Sequence, residues 1–214
     1  NCAHDNPDDW ARMIAHVRQA EQQLGLTCKI AMDLGGPKSR TADIMKPKKH
    51  RFTKGDTLLL TKDKPQPRDD YPLQIRCTLP HVFEQVAIGH AVWFDDGKVG
   101  AVVRDIVPEG MVLEVTAASD DGDKLKEDKG INFPDTPLKL NPLTDKDLRD
   151  LDFVAAHADM INFSFVQSAD DIRLLQQELH KRQPERTLAI IAKIETGKAV
   201  RNLPEIIVAA GGQQ

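Results

Sequence analysis

Asp159-Met160-Ile161-Asn162-Phe163-Ser164-Phe165 is a short apolar run that opens on a carboxylate, and it lies between two stretches carrying helix punctuation. Upstream, Thr144 with Asp147 three residues later reads as a capping box, and Leu148, Leu151, Val154 and Ala155 share one face of the helix that follows. Downstream, Ser168 with Asp171 repeats the signal ahead of Ile172, Leu175 and Leu179. A second apolar run, Thr187 to Ile194, then leads into Glu195, and Leu203, Ile206 and Ile207 mark a last short helix. Alternation of strand and helix predicts parallel βαβ units, whose polar residues just after each strand gather on one rim.

The N-terminal stretch repeats the pattern. Asn6-Pro7-Asp8-Asp9 combines a capping residue, a proline at the first helical position and two carboxylates at the positive end of the helix dipole. Trp10, Met13, Ile14, Val17 and Leu24 follow at near-helical spacing, which predicts an amphipathic helix ending at Gly25. Cys28 to Asp33 reads as a buried strand running into the tight turn Gly35-Gly36-Pro37. The strand ends thus collect Asn1 to His4, Asp33 to Arg40, Ser164, and Lys193 with Glu195, a set of groups competent for phosphate and metal.

Between these segments the texture changes. From about Thr41 to Asn141, short β-rich runs (Thr57 to Thr61, Val92 to Asp95, Val99 to Ile106, Met111 to Thr116) alternate with Gly, Pro and Asp. Asp95-Asp96-Gly97-Lys98 fits a hairpin turn between two of them. The expected fold class is therefore α/β: an incomplete (β/α)8 TIM barrel over residues 1–41 and 141–214, interrupted by a small β-rich domain over 42–140. Three complete strands cannot close a barrel that takes eight, so either further chain or an oligomeric partner is expected to cover the open sheet.

Composition narrows the function. Lys plus Arg number 29 against 33 Asp plus Glu, a formal net charge of -4, so no wide basic field recruits nucleic acid or an anionic membrane. The three cysteines, Cys2, Cys28 and Cys77, are far apart and form no zinc or disulfide spacing, which points to a reducing cytoplasm. No window approaches 18 consecutive apolar residues, and the first residues lack the charged and apolar regions of a signal peptide. The missing Met at position 1 and the end at Gly211-Gly212-Gln213-Gln214 after an apolar run suggest a piece of a larger protein.

Several segments resemble the pyruvate kinase family, in the same order and at similar separations. Asn1-Cys2-Ala3-His4 is similar to the family's Asn-Phe-Ser-His, and Asp33-Leu34-Gly35-Gly36-Pro37-Lys38-Ser39-Arg40 to its Asp-Thr-Lys-Gly-Pro-Glu-Ile-Arg. Phe94 to Lys98 and Asp128 to Pro134 resemble the Asp-Asp-Gly turn and the Lys-Lys-Gly-Val-Asn-Leu-Pro exit of its β-barrel-like lid domain. Ala158 to Val166 resembles the strand ending Ala-Ser-Phe-Val-Arg, and Ala192-Lys193-Ile194-Glu195-Thr196 the Ser-Lys-Ile-Glu-Asn signature.

The resemblance implies phosphoryl transfer from phosphoenolpyruvate to ADP, giving pyruvate and ATP in glycolysis. It implies Lys193 and Arg40 as the catalytic cations that offset charge in the transition state, and Glu195 as the ligand of Mg2+ or Mn2+. Asn1 and His4 would line the nucleotide side, Asp96 and Lys129 would close over the ADP phosphates, and Ser164 joins the substrate-binding rim. Asp33 is a remnant of the family's monovalent-cation site, which here has Ala3 for Ser and Leu34 for Thr. Lys38 stands where potassium-requiring members have Glu, so its ammonium is expected to replace potassium. Gly35 and Gln167 remove two further positive groups of the family pattern. Two other readings stay open: a catalytically degenerate nucleotide-binding or regulatory module, and a related barrel enzyme acting on another enol phosphate. A homo-oligomer is expected for the whole protein, with little catalysis by these 214 residues alone.

Overall fold

The computed structural model describes residues 1–211. In chain order its elements are α1 (Pro7–Leu24), β1 (Ala31–Asp33), β2 (Thr41–Met45), β3 (Thr57–Thr61) and β4 (Gln74–Cys77), then a 3-10 turn at Pro80–Glu84. Strands β5 (Ala91–Phe94), β6 (Val99–Val107), β7 (Gly110–Ala117) and β8 (Ile131–Asn132) follow. The chain ends in α2 (Asp145–His157), β9 (Met160–Phe163), α3 (Ala169–Arg182), β10 (Ala189–Ala192), α4 (Gly197–Arg201) and α5 (Leu203–Gly211). It divides into two compact units, one of Asn1–Pro37 with the chain from Asn141 onward, the other of Lys38–Leu140.

The first unit is built on a three-stranded parallel sheet in the order β1-β9-β10. Met32, Ile161 and Ile190 lie in register across it. Met32 and Ile161, with Phe163 on the same face, pack into a core with Leu151 and Val154 of α2 and Ile172 and Leu175 of α3. Each such fully buried side chain stabilises the unit by roughly 1.5–3 kcal/mol. The opposite face, in register, carries Asp33, Asn162 and Ile191, the last 43% exposed.

The helix starts follow the expected chemistry. The Asn6 side chain accepts from the backbone of Asp8 and Asp9, and Gly25 closes α1 in the left-handed region at φ 65°. A reciprocal capping box opens α2 at Thr144, and at the start of α3 the Asp171 carboxylate accepts from both the N–H and the hydroxyl of Ser168. The amphipathic expectation for α1 is only partly met: Trp10 is buried, but Met13 and Leu24 are 47% and 70% exposed.

The parallel strands are shorter than their apolar runs. Thr187 to Ile194 contributes only Ala189–Ala192, because its one partner, β9, offers only Met160–Phe163 for pairing. Cys28 to Asp33 contributes only Ala31–Asp33, because the Asp159 carboxylate takes the Ile30 N–H (2.8 Å) in place of a neighbouring strand.

The second unit is a seven-stranded sheet in the order β2-β4-β3-β7-β6-β5-β8. Its ends meet. An antiparallel bridge pairs Arg40 with Gly130, the Thr41 N–H donates to the Lys129 carbonyl (2.8 Å), and the Ile131 N–H donates to the Ser39 carbonyl (2.9 Å). These bonds make a seam that turns the sheet into a small barrel, filled by Leu58, Leu60, Ile75, Val92, Phe94, Val103, Met111 and Leu113. Closure leaves few unpaired strand edges, the feature that otherwise invites aggregation.

Cys2 and Cys77 are fully buried and Cys28 is exposed. Burial, with the nearby Asp150 carboxylate, pushes the Cys2 thiol up to about 11, and burial also raises Cys77. Because the thiolate is the reactive form, iodoacetamide at pH 8 is expected to alkylate Cys28 alone in the native chain. Peptide mass mapping checks this, and equal labelling of all three cysteines would contradict the packing described.

Candidate active site

In the first unit the C-terminal ends of β1, β9 and β10 place polar groups on one rim, as parallel strands do. Asp33 ends β1; its Oδ1 accepts from Asn162 Nδ2, and its Oδ2 lies 3.5 Å from Lys193 Nζ. Lys193 follows β10 directly, its backbone N–H donating to the Phe163 carbonyl (2.9 Å). The Lys193 and Asp33 side chains are about a third exposed, so the pair is a positioned contact worth little as a stabilising bridge. Asn162 Oδ1 is buried and is without a hydrogen-bond partner among the described residues.

Ser164 and Glu195 sit on the same rim. Ser164 is buried, and its hydroxyl donates to the Leu34 carbonyl (2.9 Å). The Gly35-Gly36 turn packs against it: a Cβ on Gly36 would stand 3.2 Å from Ser164 Cβ, and Gly36 holds φ +66°. A side chain here would be both crowded and strained, which accounts for glycine. Glu195 is exposed, and its Oε2 accepts from the Phe165 N–H (2.9 Å). Phe165 adopts φ 56°, an uncommon conformation for a residue with a Cβ, and that turn aims its N–H at the carboxylate.

The N-terminal turn is tied to the same strand end, since the Cys2 N–H donates to the Asp33 carbonyl (2.9 Å). The Asn1 side chain is engaged locally, accepting from the Ala3 N–H (2.9 Å), and His4 is exposed. Among the described residues no three His, Cys, Asp or Glu side chains gather as a metal site.

In the second unit the candidate residues cluster at the seam. Arg40 donates to the Asp128 carbonyl (3.0 Å) and lies 3.2 Å from its carboxylate. Lys38 is exposed, and its Cε lies 3.5 Å from where a Gly130 Cβ would stand. The Asp95-Asp96-Gly97-Lys98 turn joins β5 to β6, with Asp95, Asp96 and Gly97 all at positive φ. Asp96 is exposed, whereas Asp95 is buried and meets both Lys98 (2.7 Å) and Lys129 (3.5 Å).

Comparison with known proteins gives the family. The family described as pyruvate kinase, barrel domain, matches residues 1–213. The chain belongs to the pyruvate kinase family. It is 32% identical over 223 residues to pyruvate kinase PKLR of Rattus norvegicus, covering 99% of this chain and 38% of that protein. It is 30% identical over 213 residues to pyruvate kinase of Geobacillus stearothermophilus, covering 99% of this chain and 35% of the relative. Pyruvate kinase 2 of Trypanosoma brucei brucei is 29% identical over 222 residues, again 99% of this chain and 42% of the relative. The chain thus spans about two fifths of the length of these pyruvate kinases or less.

Within the first unit the structure brings Asp33 and Lys193 into contact and sets Ser164 and Glu195 on the same strand ends. Within the second it engages Lys129 with Asp95 and Arg40 with Asp128. Sequence reading missed Asn162, which looked like an ordinary strand residue, and Asp95 with Lys98, which looked like a hairpin turn. The available signal was a polar amide inside an apolar strand and an aspartate pair in which only one member needs to face water. Among the described residues no helix is long and apolar enough to cross a membrane.

Proposed function

We propose that the chain supplies the site at which a pyruvate kinase-type enzyme moves phosphate from phosphoenolpyruvate to ADP, with Mg2+ or Mn2+ and without potassium. The observation that carries this reading is Lys193, an ammonium fixed beside Asp33 on the strand rim that also bears the held carboxylate of Glu195. Lys193 and Arg40 act as the fixed cations that balance charge accumulating on the phosphoryl and enolate oxygens. Asn1, His4, Asp96 and Lys129 serve the nucleotide side, and Ser164 shapes the rim under the substrate.

Glu195 would hold the divalent ion, which supplies a charge to orient carboxylate and phosphate oxygens when bound. A single exposed carboxylate suits that role, since Mg2+ takes one or two carboxylates from protein and its remaining ligands from water and substrate. Lys193 already neutralises one oxygen of Asp33, and Lys38 provides the further positive charge that potassium brings elsewhere in the family.

The test is pyruvate formation by the native gene product containing these residues, in sodium- and potassium-free buffer and again with potassium. Equal rates in the two buffers are expected. Lys38→Glu is expected to lower the potassium-free rate by about tenfold or more, with partial recovery on adding potassium. A wild-type rate that depends on potassium would refute the role of Lys38. The second reading, a nucleotide-binding module, is favoured by Gly35 and Gln167 in place of cations. ADP binding without turnover in either buffer would select it.

A further inference from the structure

Asp95 is nearly buried, with 8% of its side chain exposed, in a turn whose neighbours Asp96, Gly97 and Lys98 face solvent. A buried carboxylate costs free energy unless it is paired. Here the pairing is double and the backbone fixes it. The Asp95 N–H donates to the Gly130 carbonyl (3.0 Å), locking the turn to the segment that carries Lys129. The Lys129 N–H in turn donates to Thr41 Oγ1 (3.0 Å) across the seam. One carboxylate oxygen takes Lys98 Nζ at 2.7 Å and the other faces Lys129 Nζ at 3.5 Å. The Lys98 and Lys129 side chains are 59% and 38% exposed.

We propose that Asp95 is a positioning residue that holds the Lys98 and Lys129 ammoniums side by side as one clamp for a polyphosphate, making Lys98 an unrecognised member of the nucleotide site. The inference rests on the nucleotide reading of Lys129 given above. Each ammonium has three donors and turns one toward Asp95, leaving two for phosphate oxygens. The hydrogen bond from Lys98 holds the Asp95 carboxyl below the usual carboxylate range, with the Lys129 charge adding to it against burial. The same bond raises Lys98, so the pair stays charged.

Titration calorimetry of the full chain with pyrophosphate, and separately with ADP, tests the idea. Lys98→Met and Lys129→Met are each expected to weaken pyrophosphate binding about tenfold, the scale of one lost charge-assisted contact. Asp95→Asn is expected to weaken it by a similar factor, although it removes a negative charge beside an anion, and Asp95→Glu to recover part of the loss. If Asp95→Asn binds as tightly as the wild type or more tightly, the carboxylate only masks the lysines and the inference fails. Lys98→Met alters an exposed side chain and leaves Asp95 paired with Lys129, so unchanged binding there removes Lys98 from the site whatever the folding of the Asp95 variants. A wild-type chain that binds ADP but does not distinguish Asp95→Asn overturns this inference alone. A wild-type chain that binds neither probe overturns the nucleotide reading and this inference together.

Discussion

In the native gene product, and on the function proposed above, replacing Lys193 by Met is expected to lower pyruvate formation by about two to three orders of magnitude while leaving the fold intact. Loss of one preorganised charge at a developing oxyanion has this scale. Thermal stability should change little, because the Lys193–Asp33 contact is 3.5 Å long and about a third exposed at both partners. The backbone of Lys193, which donates to the Phe163 carbonyl, is untouched by the change. A Met side chain also keeps the length of the stem, so Asn162 and Asp33 keep their contact. Rates measured at saturating phosphoenolpyruvate and ADP, beside a melting curve, separate the two effects. A variant within tenfold of the wild-type rate would remove Lys193 from the chemistry.

The largest effect on stability is expected from Gly110→Ala. Gly110 opens β7, pairs with Val107 across the β6–β7 turn, and pairs with Thr61 of β3 on its other side. A Cβ there would stand 1.9 Å from the Leu60 carbonyl oxygen, 2.9 Å from its carbon and 3.0 Å from Thr61 Cα. These are backbone atoms of a central strand, with no flexible side chain that could move aside. Relief requires β7 to separate from β3, and the pairs from Thr57↔Glu114 to Thr61↔Gly110 hold that register. The cost is expected to be about 3 kcal/mol or more, at the upper end for overpacking. Gly197→Ala is the matched control: an added Cβ meets only Arg201 Nη1, at 3.7 Å, and alanine favours the helix, so its midpoint should not fall. Urea unfolding followed by circular dichroism reads both. A loss under about 1 kcal/mol for Gly110→Ala would mean that the β3–β7 contact is looser than described.

These two positions show what could be read ahead of the structure. Lys193 was legible through the family resemblance of Ala192 to Thr196, since a lysine at a strand end is on its own an ordinary solvated charge. Strands β3, β6 and β7 were legible because Thr57 to Thr61, Val99 to Ile106 and Met111 to Thr116 are rich in β-branched and aliphatic residues. Strands β2, β4 and β8 were not. Thr41–Met45, Gln74–Cys77 and Ile131–Asn132 are short and mix apolar with polar residues, and they are strands only because distant segments pair with them. Gly110 falls in the Gly, Pro and Asp punctuation between the runs Val99 to Ile106 and Met111 to Thr116, and nothing local shows the packing constraint that Leu60 places on it.

The site divides in the same way. Asp33, Ser164 and Glu195 are strand-end residues whose position follows from periodicity, and the family resemblance named them. Asn162 and Asp95 depend on which neighbours arrive: Asn162 needs β1 in register beside β9, and Asp95 needs Gly130 brought against its turn. No local pattern encodes such contacts, which are long-range in the chain.

The seam of the second unit has a kinetic side. Arg40 with Asp128, and Thr41 with Lys129, join positions 88 residues apart. The β6–β7 hairpin closes through only a short turn. Loop closure makes the distant pairing slow, and it gains support only once the intervening strands have stacked. Arg40, Lys129 and the Gly130 carbonyl that fixes Asp95 are therefore expected to take their places late in the folding of this unit, which φ-value measurements at these positions would check. On that expectation the groups proposed to meet phosphate reach their spacing only when the ring has closed.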